Sequence, residues 1–430
     1  MNDIAGIPYI EAEFGKDGQE IGKQADLPPG IESVFVISHG WNNDRLEAEG
    51  LYRRFFENFR AIDPGDVSGL AVVGVIWPSK KYDESLSVSG APDAGHGAAG
   101  LGFGDAESDR IVLQRLERMK ELFTDPDQRR LLDEVEALLP DLDEKASARR
   151  AFMERIRALL DPGAATKDDA SDSFFKDDGN ELMTSLKADA DDLDEEIAGR
   201  GGASLPGQAA DGVAGEGGAA GIVEVLSGFK AAAMNILNYT TYYEMKTRAG
   251  TVGKNGVAPL VDRLASRVRA VHLIGHSFGG RVVAAAAAHS HTDRIRSMTL
   301  LQAAFSHNGF SKAGFFRDVV DRKRIGGPIL ITHTPNDKAV GLAYPLASRI
   351  NGDKAMAFGD KNDVFGAIGR NGAQKMEAGE AVDGPLLAVG GDYAFQPGRF
   401  FNLEASRFIR DHSDVTGKEI CHAVRKAFLP

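Results

Sequence analysis

The stretch VHLIGHSFGGRVVAAAAA, residues 271–288, joins two kinds of sequence pattern at a single serine. The apolar residues before GHSFG (275–279) are typical of a buried strand, and the alanine-rich run after it is typical of a helix. Glycines on both sides of a serine are needed where a strand turns sharply into a helix, because the two backbones pass close together. The stretch therefore predicts a tight turn that presents the Ser277 hydroxyl at the carboxyl edge of a sheet.

Six short apolar runs have the composition of strands that are buried on both faces of a sheet. They cover residues 34–38, 71–77, 271–275, 298–304, 328–334 and 400–406. Helix-like stretches lie between them, as the spacing of Leu51, Phe55 and Phe59 after the first run indicates. This alternation predicts an α/β fold with a mostly parallel central sheet flanked by helices. We also expect IPYIEAEF (7–14) to add an antiparallel strand at one edge.

Residues 85–245 break this alternation, and a longer helix is expected at their end, over 222–246. Glycine-rich stretches at 89–105 and 199–221 are typical of flexible chain. Three amphipathic helices are predicted between them, with apolar faces formed by Val112, Leu116, Met119 and Phe123, by Leu131, Val135 and Leu138, and by Phe152, Ile156 and Leu159. We therefore predict one core made of residues 1–84 and 246–430. The large, mainly helical insertion at 85–245 is expected to act as a lid or as a docking module.

Charge and composition exclude several classes of protein. The net charge is −13, which argues against nucleic acid as a partner because phosphate binding needs clustered Lys and Arg. Residues 161–200 hold thirteen Asp/Glu against four Lys/Arg, which predicts a solvated, mobile segment. The single cysteine, Cys421, rules out an intrachain disulfide. No apolar run approaches the ~18 residues of a membrane-spanning helix, and the first residues do not resemble a secretory signal, so we expect a cytoplasmic protein.

A serine hydroxyl becomes a strong nucleophile only when a neighbouring base removes its proton. In strand–turn–helix sites of this kind the partners follow in the order serine, acid, histidine. Two histidines come late enough in the chain: His412, in a loop after the last predicted strand, and His422, in a stretch that looks helical and surface-facing. We favour His412 as the base. Asp337 follows the apolar run 328–334 and is the predicted acid, since the stretch 303–312 after the preceding strand holds no carboxylate.

Two backbone N–H groups must stabilise the oxyanion that forms during acyl transfer. We expect one from Phe278, directly after the serine, and one from Trp41 in the loop after the first strand. In that loop Asn42 or Asn43 is predicted to cap the next helix, and His39 is best explained as a structural histidine that pins the loop. The aromatic run 238–245 either walls an acyl pocket or packs as an ordinary helix. Further candidates for substrate contact are His39, Asn42, His276 and Tyr242.

The set HGW (39–41), GHSFG (275–279), Asn336-Asp337 after a strand, and HSD (412–414) resembles the α/β-hydrolase superfamily, in its bacterial serine esterase/lipase branch. The resemblance covers roughly residues 30–84 and 250–425 and extends to an HGxN loop and a WPS strand end at 77–79. It implies an eight-stranded, mostly parallel sheet and hydrolysis of esters or related acyl groups without a cofactor. Lids in this superfamily most often follow a later strand, so the position of the insertion departs from the family's pattern.

These observations together predict a serine hydrolase that cleaves carboxylic esters through an acyl-enzyme, with Ser277, His412 and Asp337 as its triad. A lipase or phospholipase, or an amide or peptide hydrolase, would use the same three residues. A rival interpretation is a non-catalytic hydrolase fold that binds a protein partner through the insertion. Otherwise the expected partner is a small-molecule or lipid ester. No metal site is predicted, because the sequence has neither HExxH nor Cys/His spacing suited to zinc.

Overall fold

The computed structural model describes residues 2–63, 65, 67–79, 105–165, 171–188, 228–337 and 365–428. The described chain divides into two compact units. The first holds residues 1–79 and the described residues from 245 onward, and the second holds the described residues between 105 and 244. The glycine-rich stretches predicted to be flexible lie outside the described residues, apart from Asp105.

The first unit is built on a sheet in which ten strands are described. In chain order these are β1 (Asn2–Ile4), β2 (Ile7–Phe14), β3 (Glu20–Ile21), β4 (Ser33–Ser38), β5 (Leu70–Ile76), β6 (Ala270–His276), β7 (Ile295–Leu301), β8 (Ile329–His333), β9 (Ala381–Pro385) and β10 (Phe400–Glu404). Their spatial order is β1-β2-β5-β4-β6-β7-β8-β10-β9, with β3 also paired to β2. All six predicted apolar runs form strands, and those strands pair in parallel.

The edge formed by the N-terminal residues differs from the prediction. Strand β2 (7–14) is parallel to β5, and only its pairings with β1 and β3 are antiparallel. The chain reverses between β1 and β2 at Ala5 and Gly6, both of which have positive φ. Strands β1 and β3 both pair with the side of β2 that faces away from β5. Although β2 has the alternating burial of a half-buried strand, it is therefore not the outermost strand of the sheet. These additions also explain why the described sheet has ten strands rather than the eight implied by resemblance.

Most helices of the first unit lie between these strands along the chain, whereas those of the second unit follow one another between β5 and β6. The helices are α1 (Arg45–Ile62), α2 (Asp105–Leu122), α3 (Pro126–Leu138), α4 (Ala146–Ala158), α5 (Ser171–Lys176), α6 (Gly179–Ala188), α7 (Gly228–Val252), α8 (Ala258–Ala265), α9 (Phe278–His289), α10 (Arg317–Asp321), α11 (Ile368–Asn371) and α12 (Lys418–Phe428). A π-helical turn, Gly253–Val257, joins α7 to α8. The long helix expected over 222–246 is described from Gly228 onward and continues six residues past its predicted end, to Val252, whereas residues 222–227 lie outside the described residues.

Aromatic packing fixes α1 against the sheet. Phe55, Phe56 and Phe59 of α1 are buried, as their helical spacing predicts. Phe35 of β4 lies with its ring centroid 5.4 Å from that of Phe56 and 5.5 Å from that of Phe59. Helix α12 adds its own buried face to the same cluster. This cluster holds β4 rigid, and the loop that follows β4 is part of the candidate site.

The second unit consists of α2 to α6 and the first part of α7. The predicted apolar faces of α2 and α4 are buried, but α3 is rotated by one residue: it buries Leu132, Val135 and Leu139 rather than Leu131, Val135 and Leu138. Adjacent leucines at 131–132 and 138–139 make these two faces indistinguishable from the sequence.

The acidic segment 161–200 is not uniformly mobile chain. Its described part forms α5 and α6, which bury Phe174 and Met183 completely. Ion pairs such as Arg150 with Asp178, at 2.8 Å, offset part of its charge. The predicted mobile segment is therefore wrong for residues 171–188, because apolar residues at helical spacing outweigh the local charge.

Candidate active site

Ser277 occupies the turn between β6 and α9, as the quoted stretch predicts. Its backbone has φ 55° and ψ −125°, a conformation that non-glycine residues seldom adopt. Three hydrogen bonds hold it there: its N–H donates to the Leu301 carbonyl at 3.0 Å, and its carbonyl accepts from the N–H groups of Gly280 and Ala304, both at 3.0 Å. The strain of this turn is thus supported by the neighbouring strand β7.

The two glycines of GHSFG are required by close contacts. A Cβ atom on Gly275 would overlap the carbonyl oxygen of Gly279, and one on Gly279 would overlap the carbonyl oxygen of Ser38. The first contact lies inside the turn, and the second presses the start of α9 against the end of β4. Small residues at these positions therefore follow from backbone packing, for the reason inferred from the sequence.

Asp337 and His412 form a buried hydrogen-bonded pair. The Nδ1 atom of His412 lies 2.8 Å from Oδ2 of Asp337, and the two residues are 6% and 0% exposed. Because an ionised carboxylate only accepts hydrogen bonds, the proton sits on Nδ1 and the lone pair on Nε2. An imidazole in this tautomer is able to take a proton from a nucleophile. Asp337 follows β8 and His412 follows β10, as predicted from their order in the chain.

Contacts that are not evident from the sequence tie the loop of the acid to the loop of the base. Asn336 donates through Nδ2 to the carbonyl of Ile409 at 3.0 Å and to that of Ser406 at 3.2 Å. His276, the residue before Ser277, donates from Nε2 to the carbonyl of His412 at 2.9 Å. The ring centroids of His276 and His412 are 4.9 Å apart. The base is thereby anchored both to the acid loop and to the turn that carries Ser277.

Gln302 directly follows β7 and is also part of this arrangement. It is fully buried, and its Nε2 donates to Oδ2 of Asp337 at 3.1 Å and to the carbonyl of Gly369 at 2.9 Å. No motif in the sequence points to Gln302. The available signal was a polar residue inside the apolar run MTLLQAA (298–304), where a buried amide needs hydrogen-bond partners.

The loop after β4 lies against Ser277. A Cβ atom on Gly40 would come within 2.6 Å of Cβ and 3.1 Å of Oγ of Ser277. The next residue, Trp41, has its ring centroid 6.0 Å from that of Phe278. The two residues predicted to supply oxyanion N–H groups are therefore neighbours in space.

His39 joins this loop to strand β5. Its N–H donates to the Tyr52 hydroxyl at 2.8 Å, and that hydroxyl donates to the carbonyl of Val75 at 2.6 Å. Its ring stacks on Trp77 with centroids 5.6 Å apart, and the indole N–H donates to the His39 carbonyl at 3.0 Å. These contacts support the interpretation of His39 as a histidine that pins the loop.

The helix cap after this loop differs from the prediction. Asp44 is the N-cap of α1, and it forms a capping box with Glu47. Asn42 instead has φ 62° and donates its N–H to the carbonyl of Ser79 at 3.0 Å. A left-handed backbone does not suit an N-cap, whose φ and ψ are extended, so neither Asn42 nor Asn43 caps the helix.

Two further predicted residues belong to helices α12 and α7. His422, the alternative base, belongs to α12 and binds the carbonyl of Gly391 through Nε2 at 2.7 Å. It is 8% exposed, so the expectation that it faces the surface is wrong. Tyr242 lies on the part of α7 that belongs to the second unit, with its ring centroid 6.3 Å from that of Tyr239.

Burial controls the charge of three histidines. It lowers the pKa of His39 to about 4, and it lowers that of His276 to about 3 with a further contribution from His412. Burial also lowers the pKa of His272 to about 4, and the charge of Arg296 acts in the same direction. All three imidazoles are therefore neutral at pH 7. The hydrogen bonds of His276 agree with a neutral ring: Nε2–H donates to a carbonyl, and Nδ1 has no hydrogen-bond partner among the described residues.

The described ranges contain no helix that is both long and apolar enough to cross a membrane. They also contain no group of three or more His, Cys, Asp or Glu side chains placed to hold a metal ion.

Comparisons with known proteins agree with this geometry at the level of the fold. No curated protein and no solved structure matches the chain. Residues 260–325 match the family model described as the alpha/beta hydrolase fold. This range includes α8 from Leu260 onward, β6, the Ser277 turn, α9 and β7. The match supports similarity of this chain to the α/β-hydrolase superfamily. The fold of that superfamily suggests a hydrolase.

Proposed function

We propose that the protein is a serine hydrolase of the esterase/lipase branch, with Ser277, His412 and Asp337 as its catalytic triad. The observation that carries the proposal is the buried 2.8 Å hydrogen bond between His412 and Asp337. His276, the residue before Ser277, binds the backbone carbonyl of His412 at 2.9 Å, and the backbone of Ser277 is held at φ 55°. A buried carboxylate that orients an imidazole next to a strained, glycine-flanked serine is the arrangement that acyl transfer requires.

In the proposed mechanism His412 takes the proton of Ser277 as the hydroxyl oxygen attacks the ester carbonyl carbon. The N–H groups of Trp41 and Phe278 stabilise the oxyanion, while Asp337 holds the imidazole in the correct tautomer. His412 then gives the proton to the leaving alcohol, and an acyl-enzyme forms on Ser277. Water, activated by the same histidine, attacks this ester and releases the carboxylic acid and the free serine.

The second unit is included in the proposal as an insertion into the hydrolase core, with the boundaries 85–245 predicted from the sequence. Its described helices bury their own apolar residues, including Val112, Leu132 and Phe152. Tyr239 and Tyr243 pack within this unit against Phe174 and Phe175, with centroid distances of 4.8 and 5.3 Å. This packing favours helix contacts as the reason for the aromatic run 238–245.

Labelling with a fluorophosphonate probe tests the proposed function, since the reagent reacts with an activated serine and requires no knowledge of the natural substrate. We expect covalent labelling at Ser277, mapped by peptide mass spectrometry, and its loss in Ser277→Ala. Ser290→Ala is the matched control. Ser290 is a buried serine at the other end of α9, and its hydroxyl donates to Oδ1 of Asp262 at 2.5 Å.

Unlabelled wild-type protein, or equal labelling of wild type and Ser277→Ala, would contradict the proposal. Labelling at Ser277 would justify a panel of esters of increasing chain length. A rate that jumps when the ester exceeds its solubility would indicate an interfacial lipase, whereas a hyperbolic dependence would indicate a soluble-ester hydrolase.

A further inference from the structure

We propose that Gln302 is a positioning residue that sets the orientation and the effective charge of Asp337, and through it the basicity of His412. This inference rests on the proposed function of the triad. The residue lies at the carboxyl end of β7, the strand next to the one that carries Ser277. Its side chain ends 3.1 Å from the same Oδ2 atom of Asp337 that contacts His412.

The direction of the Gln302 amide follows from its partners. Its Nε2 atom lies near two oxygens that only accept hydrogen bonds, the Asp337 carboxylate at 3.1 Å and the Gly369 carbonyl at 2.9 Å. Exchanging the amide oxygen and nitrogen would place three acceptors together, so the network selects the orientation with both hydrogens donated. The opposite atom, Oε1, has no partner within the part of the chain that the structure describes.

A glutamine in this place is unfavourable for stability alone. Its φ is 43°, in the left-handed region, and its buried amide oxygen is unsatisfied among the described residues. An apolar side chain of the same size would avoid the second of these costs. An apolar residue would lack the two N–H donors of the Gln302 amide, one of which binds Asp337.

The chemical consequence follows from two donors on one carboxylate oxygen. His412 Nδ1–H and Gln302 Nε2–H both bind Oδ2, so the amide draws negative charge away from the imidazole. It also fixes the rotation of the carboxylate, and with it the ring plane of His412. Because the amide is uncharged, its effect on the pair stays constant over the working pH range.

Other titratable or charged groups also surround the pair. His276 binds the backbone carbonyl of His412, and Arg370 donates to the carbonyls of Pro335 at 2.8 Å and Asp337 at 3.3 Å. On the loop of the base, Asp414 pairs with Arg410 at 2.9 Å, and Asp411 is exposed. All of these groups stay in place when only Gln302 is changed.

Two substitutions and one matched control test the proposal. Gln302→Met keeps the volume and removes both donors, whereas Gln302→Glu keeps the shape and adds a carboxylate beside Asp337. The control is Asn402→Leu in β10. Asn402 is 2% exposed, and its amide likewise donates to a backbone carbonyl, that of Ala373 at 3.2 Å, and to a carboxylate, that of Asp383 at 2.8 Å.

The first measurement is the rate of fluorophosphonate labelling at Ser277 as a function of pH. We expect Gln302→Met to lower the plateau rate about tenfold to a hundredfold, because the carboxylate, and with it the imidazole, lose their fixed orientation. We also expect the acid limb of the profile to move to higher pH by about one unit, because more of the carboxylate charge then stabilises the imidazolium. Gln302→Glu should move the limb further in the same direction, and Asn402→Leu should leave it unchanged.

The second measurement does not depend on activity. The proton on Nδ1 of a histidine bound to a carboxylate gives a low-field proton NMR signal, which can be assigned here by its loss in His412→Ala. The pH at which this signal titrates should be higher in Gln302→Met than in wild type, and it should be unchanged in Asn402→Leu. If wild-type protein is not labelled at Ser277, the proposed function fails, and this titration still decides whether Gln302 acts on the pair.

Three results would overturn the inference. In the first, the pH profile and the NMR titration of both Gln302 variants coincide with those of wild type. In the second, Asn402→Leu shifts the profile and the titration as much as the Gln302 variants do. In the third, neither Gln302 variant folds whereas Asn402→Leu does. In the last two cases Gln302 contributes to packing in the same way as any buried amide.

Discussion

Gly40→Ala tests the placement of the loop after β4 against the nucleophile. The added Cβ would lie 2.6 Å from Cβ of Ser277, against the 3.4 Å at which ordinary contact begins, so one of the two atoms must retreat by about 0.8 Å. Ser277 cannot move easily, because three backbone hydrogen bonds hold its strained turn. Gly40 itself has no positive φ, so alanine adds a side chain there without adding backbone strain.

A shift of nearly 1 Å between a nucleophile and the groups around it costs about a hundredfold in rate. We therefore expect Gly40→Ala to slow fluorophosphonate labelling of Ser277 by about that factor, and to lower the free energy of unfolding by about 1–3 kcal/mol through overpacking. Gly384→Ala in β9 is the control, since a Cβ there meets nothing within 4 Å. A Gly40→Ala protein that is labelled within twofold of the wild-type rate would refute the proposed contact between this loop and Ser277.

Three further predictions test the acid, the buried histidines and the second unit. Asp337→Asn should lower the labelling rate by about 10⁴-fold because an amide favours the wrong tautomer of His412, and retention of a tenth of the wild-type rate would argue against the pair. Stability should fall between pH 7 and pH 5, because the unfolded chain protonates histidines near pH 6.5 whereas the three buried ones resist protonation down to pH 3–4. Each contributes a slope of up to about 1.4 kcal/mol per pH unit, so urea denaturation of His272→Gln should show a shallower dependence than wild type, and equal slopes would contradict this. Leu132→Ala should cost about 2–5 kcal/mol and Leu131→Ala less than about 1 kcal/mol in thermal denaturation, whereas the reverse order would favour the face predicted from the sequence.

The parallel strands and the Ser277 turn were readable from the sequence because their signals are local. A strand buried on both faces needs an almost unbroken apolar run, and β4, β5, β6 and β8 each have one. The turn needs small residues at fixed offsets from the serine, and GHSFG provides them. The positions of Asp337 and His412 followed from chain order, because parallel strands bring their carboxyl ends to one edge of the sheet.

The errors and omissions come from contacts that are not local or from patterns with two solutions. Gln302 and Asn336 contact partners 35 to 73 residues away, which no spacing in the sequence reveals. The cap of α1 could have been predicted: Asp44 and Glu47 have capping-box spacing, whereas the two asparagines before them lack a partner three residues later. The rotation of α3 could not, since paired leucines satisfy either face.

The left-handed backbone at Ser277 restricts which other nucleophiles could evolve at this position. Cysteine has the same side-chain shape as serine and could adopt φ 55° with little added strain, so a thiol enzyme is one substitution away. Threonine is excluded, because a branched Cβ is a severe outlier at this φ. The geometry of this turn is therefore compatible with cysteine, which would form a thioester intermediate, and incompatible with the secondary alcohol of threonine.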